Sequence, residues 1–368
     1  MSVIKILAIN TVGLCMNGIT TVIYDYYSRF DCEFEIHSIT DGTDYREVIE
    51  KFNCQGIKIH YIPSRKNDTG YYLWSLIKLI KTEKFDLVHI HGNSATMSIE
   101  LMAAKLGGCK IRIAHSHNST CDHVLLNQLL KPLFHMLYTD AFACGNAAGQ
   151  WLFGNRGFKI IKNGRDIKKF TFNQEHRVFY RQKLGLKDNS IAVGHIGNFN
   201  EQKNHIFLIN VFNEIYKLNL ESHLYLAGYG RCENSIRSLV DELGLKNNVH
   251  FMGTINNVPD LLQAMDIMLL PSLYEGLPLV VVEWQMAGLP CILSDSITTE
   301  CVFTDLVRFL PLTDSYDIWA RDSMSFESQY RSLRPQNANN IPILAKEHGY
   351  DIDTEAANLM KFYKNRLS

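Results

Sequence analysis

The segment PSLYEGLPLVVVE, residues 271–283, sets two carboxylates, Glu275 and Glu283, around Gly276, Leu277 and Pro278. A strand-like run at 266–270 ends at Pro271, and a helix begins near Pro278, because proline suits a first helical turn, where a missing amide proton costs no bond. Glu275 then lies in a loop at the helix mouth, and Glu283 lies a turn or more deeper, so both can reach one elongated ligand. Carboxylates accept hydrogen bonds from hydroxyls strongly, which suits a polyhydroxylated ligand such as a sugar or ribose. Glu275 at a helix amino terminus also has a purely structural reading. Nothing in the spacing sets the pair across a scissile bond, so joint acid/base work is the less favoured use.

Two other loops in the second half fit the same rule. GHIGNFNEQKNH, residues 194–205, has Gly197 for close backbone approach and Lys203 just before a helix, where an anion would meet orphan amides and an ammonium group. AGYGRC places Gly228 and Gly230 after a strand, either to let a ligand lie against backbone or merely to turn the chain; it is not a dinucleotide GxGxxG. In the first half VHIHGN places His89 and His91 on one face of a strand, and IAHSHN does the same for His115 and His117. Such pairs invite a metal, yet neither strand end carries a carboxylate, so contact with hydroxyl or phosphate is favoured, with satisfied structural histidines as the alternative. The DID run at 351–353 reads as a helix cap supplied by Asp353 and Thr354 rather than a metal site.

These residues need strands and helices to hold them. Apolar strand-sized runs at 3–9, 35–40, 57–62, 86–91 and 109–115 alternate with helical patterns near 22–30, 71–84, 95–106 and 123–138. After Asn163 and Gly164 the alternation restarts, with strands at 191–196, 223–227, 249–252, 266–270 and 291–293 between helices near 204–218, 233–243, 259–265 and 279–287. The pattern is α/β: two Rossmann-like, doubly wound parallel-sheet domains facing a central cleft, with ligands at the carboxyl ends of the strands. The expected division is 1–165, 166–350 and a tail at 351–368 whose apolar stripe, Ala356, Leu359, Met360 and Tyr363, must dock, returning to the first domain.

Composition narrows the function. A chain of 368 residues with 46% hydrophobic and 20% charged residues has material for two cores. A net charge of -1 offers no general attraction to nucleic acid. Residues 1–165 hold 18 basic and 14 acidic side chains against 19 and 24 in the rest, a mild asymmetry that would let the first half lean toward an anionic membrane. YYLWSLIKLIKTEKF, with Lys78, Lys81 and Lys84 at three-residue steps, has a membrane-interface reading, although ordinary packing against a sheet is favoured. Nine cysteines without a CxxC pair fit reduced thiols, and the lack of a long apolar run or signal pattern points to the cytoplasm, at most at the inner face of the membrane.

On these motifs the sequence resembles the family 4 retaining glycosyltransferases of the two-Rossmann-domain (GT-B) type, especially bacterial enzymes of capsular, exopolysaccharide or O-antigen synthesis. The resemblance covers most of residues 3–300 and the GYDID stretch at 349–353. It implies that EGLPLVVVE carries the family's paired glutamates, Glu275 toward the donor sugar and diphosphate and Glu283 on the ribose, with Gly276 and Leu277 in the same donor-binding loop. GNFNEQKNH resembles the loop that supplies an Arg and a Lys to the diphosphate; Lys203 keeps the Lys and Asn198 replaces the Arg. That exchange removes a charged, bidentate donor, so either another cation such as Arg231 compensates, or donor binding is weaker, or activity is reduced. Asn17 and Gly18 resemble the glycine-rich first loop, His117 the active-site histidine near the transferred sugar, and His91 a strand-end histidine of the family, while KNGRDIKKF resembles its interdomain stretch, with Lys162 where Pro is frequent.

The implied activity is transfer of a sugar from a nucleoside diphosphate sugar, UDP-linked, to a glycan or lipid-linked saccharide. His117, Glu275 and Lys203 are the catalytic candidates, His91 and His115 the acceptor-side or donor-sugar contacts, and no metal or further cofactor is expected. The rival readings are a nucleotide-sugar epimerase or hydrolase, and a weakly active nucleotide-sugar-binding protein.

Overall fold

The computed structural model describes residues 3–15, 17–43, 46–255 and 257–368. The chain forms two compact units, Met1–Arg165 with Gly349–Ser368, and Asp166–His348. The last twenty residues therefore pack with the first unit.

Unit 1 is built on strands β1 (Ile4–Asn10), β2 (Phe34–Thr40), β3 (Lys58–Tyr61), β4 (Leu87–Gly92), β5 (Ile111–Ser116), β6 (Asp140–Ala143) and β7 (Lys159–Ile160). They pair all-parallel in the order β3-β2-β1-β4-β5-β6-β7. The central strands are buried on both faces, as LVHIHG in β4 is throughout, which is why they read as continuous apolar runs rather than alternating ones. Helices α1 (Gly18–Tyr27), α2 (Arg46–Cys54), α3 (Thr69–Glu83), α4 (Ser98–Leu106), α5 (Val124–Leu137) and α6 (Asn146–Phe153) cross between strands. The Asn17 side chain caps α1 by accepting from the Thr20 amide at 2.9 Å, and Asp68 caps α3 through the Tyr71 amide at 2.8 Å. One core under β1 and β4 is filled by Leu76 and Ile80 of α3, Leu101 of α4, Phe134 of α5 and Phe153 of α6.

Unit 2 opens with α7 (Ile167–Phe170) and α8 (Gln174–Lys183) and repeats the scheme. Its strands are β8 (Ile191–Ile196), β9 (Ser222–Ala227), β10 (Val249–Gly253), β11 (Ile267–Leu270), β12 (Cys291–Ser294) and β13 (Val307–Leu310), in the parallel order β10-β9-β8-β11-β12-β13. Its further helices are α9 (His205–Leu218), α10 (Glu233–Glu242), α11 (Val258–Ala264), α12 (Leu279–Met286), α13 (Tyr316–Arg331) and α14 (Arg334–Glu347). Two buried polar residues stitch it together. Asp266 pairs with Arg177 and with Arg181, at 2.9 Å from the latter, and accepts the Ala192 amide at 2.7 Å. Arg334 donates to the carbonyls of Ala287, Met265 and Leu262 at 2.7–2.9 Å, satisfying chain ends that no helix or strand completes.

The last helix, α15 (Ile352–Leu367), lies against α1, with Ile352, Ala356, Leu359 and Tyr363 buried. Its cap corrects the sequence reading: Asp351, not Asp353 or Thr354, stands at the N-cap, and Thr354 Oγ1 donates to its carboxylate at 2.5 Å. Asp353 is instead turned outward to Arg29 Nε at 2.6 Å. The backbone explains the shift, because Arg165 and Asp351 form a bridge that holds Asp351 extended until the helix can start. Among the described residues no helix is long and apolar enough to cross a membrane, and no two cysteines form a disulfide.

Candidate active site

In unit 2 the candidate residues gather where β8, β9 and β11 end. Beyond β8 the chain turns through Gly197 and Asn198 into a short 3-10 turn, Glu201–Lys203, capped by Asn200 Oδ1 on the Lys203 amide at 3.1 Å. A Cβ on Gly197 would stand 3.1 Å from Lys203 Cε, so the missing side chain is what lets the lysine lie back across the loop. Lys203 Nζ meets Glu275 Oε1 at 2.6 Å, with the two side chains only 15% and 8% exposed. Ser272 Oγ donates to the same oxygen at 2.7 Å, and Gln202 Nε2 reaches Glu275 Oε2 at 3.3 Å and the Tyr274 carbonyl at 2.9 Å. The Leu273 amide returns to the Gln202 carbonyl at 2.8 Å, so the loops after β8 and β11 are strapped together. Neither Gln202 nor Ser272 was singled out in the sequence, since their role appears only once these two strands are neighbours.

The glycines after β9 serve a third strap. Gly228 has φ 141°, and a Cβ there would fall 2.0 Å from the Gly197 carbonyl oxygen; one on Gly230 would fall 2.4 Å from that of Phe199. Hydrogen bonds from Gly197 N to Ala227 O and from Phe199 N to Tyr229 O, both 2.9 Å, hold the two loops backbone to backbone. Their observed partner is thus the neighbouring loop. Asn198 is exposed on this platform. Arg231, the expected substitute cation, is also exposed and turns to Glu201, with Nε to Oε2 at 3.0 Å. Glu283 sits on α12 at 6% exposure, while Gly276 and Leu277 are half-buried in the preceding loop.

Beneath Lys203 lie two histidines that the sequence reading passed over. His195 donates from Nδ1 to the Leu269 carbonyl at 2.8 Å. Its ring meets that of His205 edge-on at 4.7 Å. Burial holds His195 well below the usual histidine range and lowers His205 to about 4, with the Lys203 charge adding to the effect.

In unit 1 the register pairs His91 with His115, and four imidazoles stack along one sheet face. His89 and His91 rings are 4.1 Å apart, as are those of His115 and His117. His91 Nδ1 meets His117 Nε2 at 2.9 Å, and His89 Nε2 meets His115 Nδ1 at 3.2 Å. His89 Nδ1 reaches the Tyr363 hydroxyl of α15 at 2.6 Å. Nε2 of His91 and of His115 is buried without a partner. A buried lone pair without a partner costs less than a buried N–H, so both rings carry their proton on Nδ1. With that tautomer assigned, His91 donates to His117 and His115 to His89, whose Nδ1 faces both the Tyr363 and the Tyr27 hydroxyl, the latter at 2.9 Å. Burial, reinforced by the neighbouring rings, keeps His89, His91 and His115 neutral, and burial lowers the half-buried His117 as well. One nitrogen from each of His89, His91 and His115 lies within 4.8 Å of the others. That set has no carboxylate to offset a cation's charge in the interior. Asn17 serves its helix as the cap described above, and Gly18 begins it.

Comparison with known proteins decides what this architecture is. HepE of Anabaena, solved in complex with UDP, superposes with a TM-score of 0.81 at 17% identity, over 98% of this chain and all of that one (100%). WaaG, a glycosyltransferase involved in lipopolysaccharide biosynthesis, superposes at 0.69 with 16% identity, over 96% of this chain and 99% of its own. The fold is GT-B. Within the GT-B chain, residues 177–333 match the family of Glycosyl transferases group 1. EpsF of Bacillus subtilis strain 168, described as a glycosyltransferase, is 29% identical over 95% of this chain and 94% of its own length. The Escherichia coli UDP-Gal:alpha-D-GlcNAc-diphosphoundecaprenol alpha-1,3-galactosyltransferase is 30% identical over 62% and 63%, and the Staphylococcus aureus capsular polysaccharide glycosyltransferase CapH 26% over 68% and 70%. This GT-B protein is thus related to bacterial glycosyltransferases, those of capsular polysaccharide synthesis among them.

Proposed function

We propose that the chain is a family 4 retaining glycosyltransferase that moves a sugar from a UDP-sugar to a glycan or lipid-linked saccharide in surface polysaccharide synthesis. The observation that carries this reading is the Lys203–Glu275 pair, held by Ser272 and Gln202 at the strand ends, with the buried Glu283 on the helix that follows. Support for the donor comes from HepE, solved with UDP, and for donor and acceptor together from the galactosyltransferase, named for UDP-Gal and a diphosphoundecaprenol-linked sugar.

In this reading the diphosphate takes over Lys203 from Glu275, which turns the released carboxylate toward the sugar hydroxyls. Glu283 accepts from the ribose. The bond from the anomeric carbon to the diphosphate oxygen breaks, the acceptor oxygen bonds to that carbon on the same face, and the acceptor proton passes to the departing phosphate oxygen. Lys203 and loop amides stabilise the charge on the leaving group. His117, its proton held on Nδ1 by His91, contacts the transferred sugar. No step calls for a metal.

Calorimetric titration with UDP, followed by product analysis with UDP-sugars and lipid-linked acceptors, tests this. Glu283→Gln should weaken UDP binding by about tenfold without unfolding, as loss of a charged acceptor to two hydroxyls would. Product should keep the donor's anomeric configuration, and transfer should survive a chelator. Wild-type UDP affinity in folded Glu283→Gln, or sugar release from donor alone without transfer, would overturn the proposal.

A further inference from the structure

At the amino-terminal end of the unit 2 sheet, where β11 and β12 begin, a cavity of about 200 Å³ lies among α8, α13 and the first turn of α14. Asp266 and Pro290, the residues just before the two strands, line it. Lys203 and Glu275 stand beyond the other end of β11, so the cavity is separate from them. Three guanidinium groups border it: Arg177 of α8, Arg331 at the last position of α13 and Arg334 at the first of α14.

The charges around this space do not balance. Arg177 and Arg181 share one carboxylate, that of Asp266, and Arg331 Nε holds Glu327 Oε1 at 2.6 Å. Among the described residues no carboxylate pairs with Arg334, whose Cζ lies 4.4 Å over the Phe172 ring while its nitrogens donate to three carbonyls. Four guanidinium charges therefore meet two carboxylates. The carbonyls that Arg334 takes close the ends of α11 and α12, and each helix end contributes about half a negative charge. α13 ends and α14 begins beside the cavity, so the charges of those two helix ends cancel. About one positive charge is left over. Arginine cannot shed it by deprotonation, and Arg334 is only 5% exposed, so water screens it poorly. Burial, and then the nearby Arg177 and Arg181 charges, push the Arg334 pKa down, as expected of a cation short of counter-charge. Donors are left over too. Each Arg334 nitrogen spends one N–H on a carbonyl, and a guanidinium has about two more to give.

We infer that this cavity binds a phosphate group, either free phosphate or a small phosphate monoester. Guanidinium forks arriving from three helices suit a tetrahedral phosphate, which offers each its own oxygen, better than a planar carboxylate, which takes one fork in its plane. The volume equals that of about seven waters, more than a bare phosphate fills. Phe172, Tyr330, Pro290 and Pro335 wall the remainder, against which the carbon body of a monoester packs. On binding, the phosphate takes Arg331 from Glu327. Burial already pushes the Glu327 carboxyl up, so the released group takes a proton from solvent instead of staying as a buried, unpaired charge. Nothing in this site depends on the transferase reading.

The test is calorimetric titration of the full chain with inorganic phosphate and with glycerol 3-phosphate, each variant being checked for its fold by circular dichroism. The wild type should bind one of the two with a Kd of about 1 mM or tighter. Arg331→Gln should weaken that binding by about tenfold or more, as loss of a charged donor does. Glu327→Gln, which removes the carboxylate that competes for Arg331, should tighten it several-fold. Lys203→Met should leave it unchanged, which assigns the heat to this cavity and not to the ammonium group beyond β11. Tighter binding of glycerol 3-phosphate names a monoester as the occupant, and tighter binding of inorganic phosphate names the free ion. No binding of either probe overturns the inference. So does binding that Lys203→Met abolishes, or a folded Arg331→Gln or Glu327→Gln protein that titrates as wild type.

Discussion

At the scale of single residues, the ion pair between Lys203 and Glu275 decides how the ligand-free site behaves. Both side chains are largely out of water, and each is the other's counter-charge. Removing one partner of such a pair leaves the other charge uncompensated, at a cost of about 3 kcal/mol. Glu275→Gln frees the ammonium for a diphosphate, so UDP affinity should hold or rise while transfer falls by about a hundredfold, the scale of losing one positioned polar contact to the reacting sugar. Lys203→Met should do the opposite, weakening UDP by at least about tenfold and lowering stability. Titration and turnover of both variants check the crossing pattern; parallel losses in the two would refute it. The residue types of this site were legible in the sequence, since Gly197, Lys203 and Glu275 stand in loops after strands there and Glu283 on the helix that follows. Their pairing was not, because Lys203 and Glu275 meet only through the adjacency of β8 and β11, which is a property of the sheet order.

Among the elements, what was legible follows from burial. Strands such as β1, β4 and β8 are covered on both faces and announce themselves as continuous apolar runs. β6 and β7, with four and two residues, are too short to show any period. α13 escaped because its buried face includes Ser323 and Glu327 as well as Trp319 and Phe326, which blurs the helical pattern. The loops are where sequence and structure diverge most. Glycines that invited a ligand turn out to carry backbone against backbone, and this gives a test. At Gly228, φ 141° and a Gly197 oxygen 2.0 Å from the would-be Cβ leave no room for a methyl group. Gly228→Ala should therefore destabilise unit 2 by about 1–3 kcal/mol, as overpacking does. It should also weaken UDP, because Lys203 rides on the displaced loop. Gly244→Ala, where nothing lies within 4 Å, supplies the control for left-handed strain alone. Equal effects at the two positions would remove the close approach as the cause.

Over the whole molecule, both units bury neutral imidazole, and this makes stability depend on pH in a defined direction. His89, His91 and His115 in unit 1, and His195 and His205 in unit 2, are held below the ordinary value of 6.5, chiefly by burial. In the unfolded chain each takes up a proton as pH falls through about 6.5, whereas in the folded chain it stays neutral. The unfolded state then binds more protons, so stability is complete above that pH and is lost below it, by up to about 1.4 kcal/mol per pH unit for each group. For His205 the window closes near its folded value of about 4. Two units with separate cores need not unfold together, but Trp74 and Trp151 report on the first, and Trp284 and Trp319 on the second. Denaturant titrations between pH 7.5 and 5.5 should show both transitions moving to lower denaturant as pH drops. His205→Leu removes a ring whose two nitrogens lack partners, so at pH 7.5 its loss should cost little. Below pH 6.5 it should flatten the slope of unit 2 by one group's worth and leave that of unit 1 unchanged. If His205→Leu and wild type keep the same slope, the imidazole is taking up its proton in the folded state, and the environment beneath Lys203 is wetter and less apolar than its burial implies.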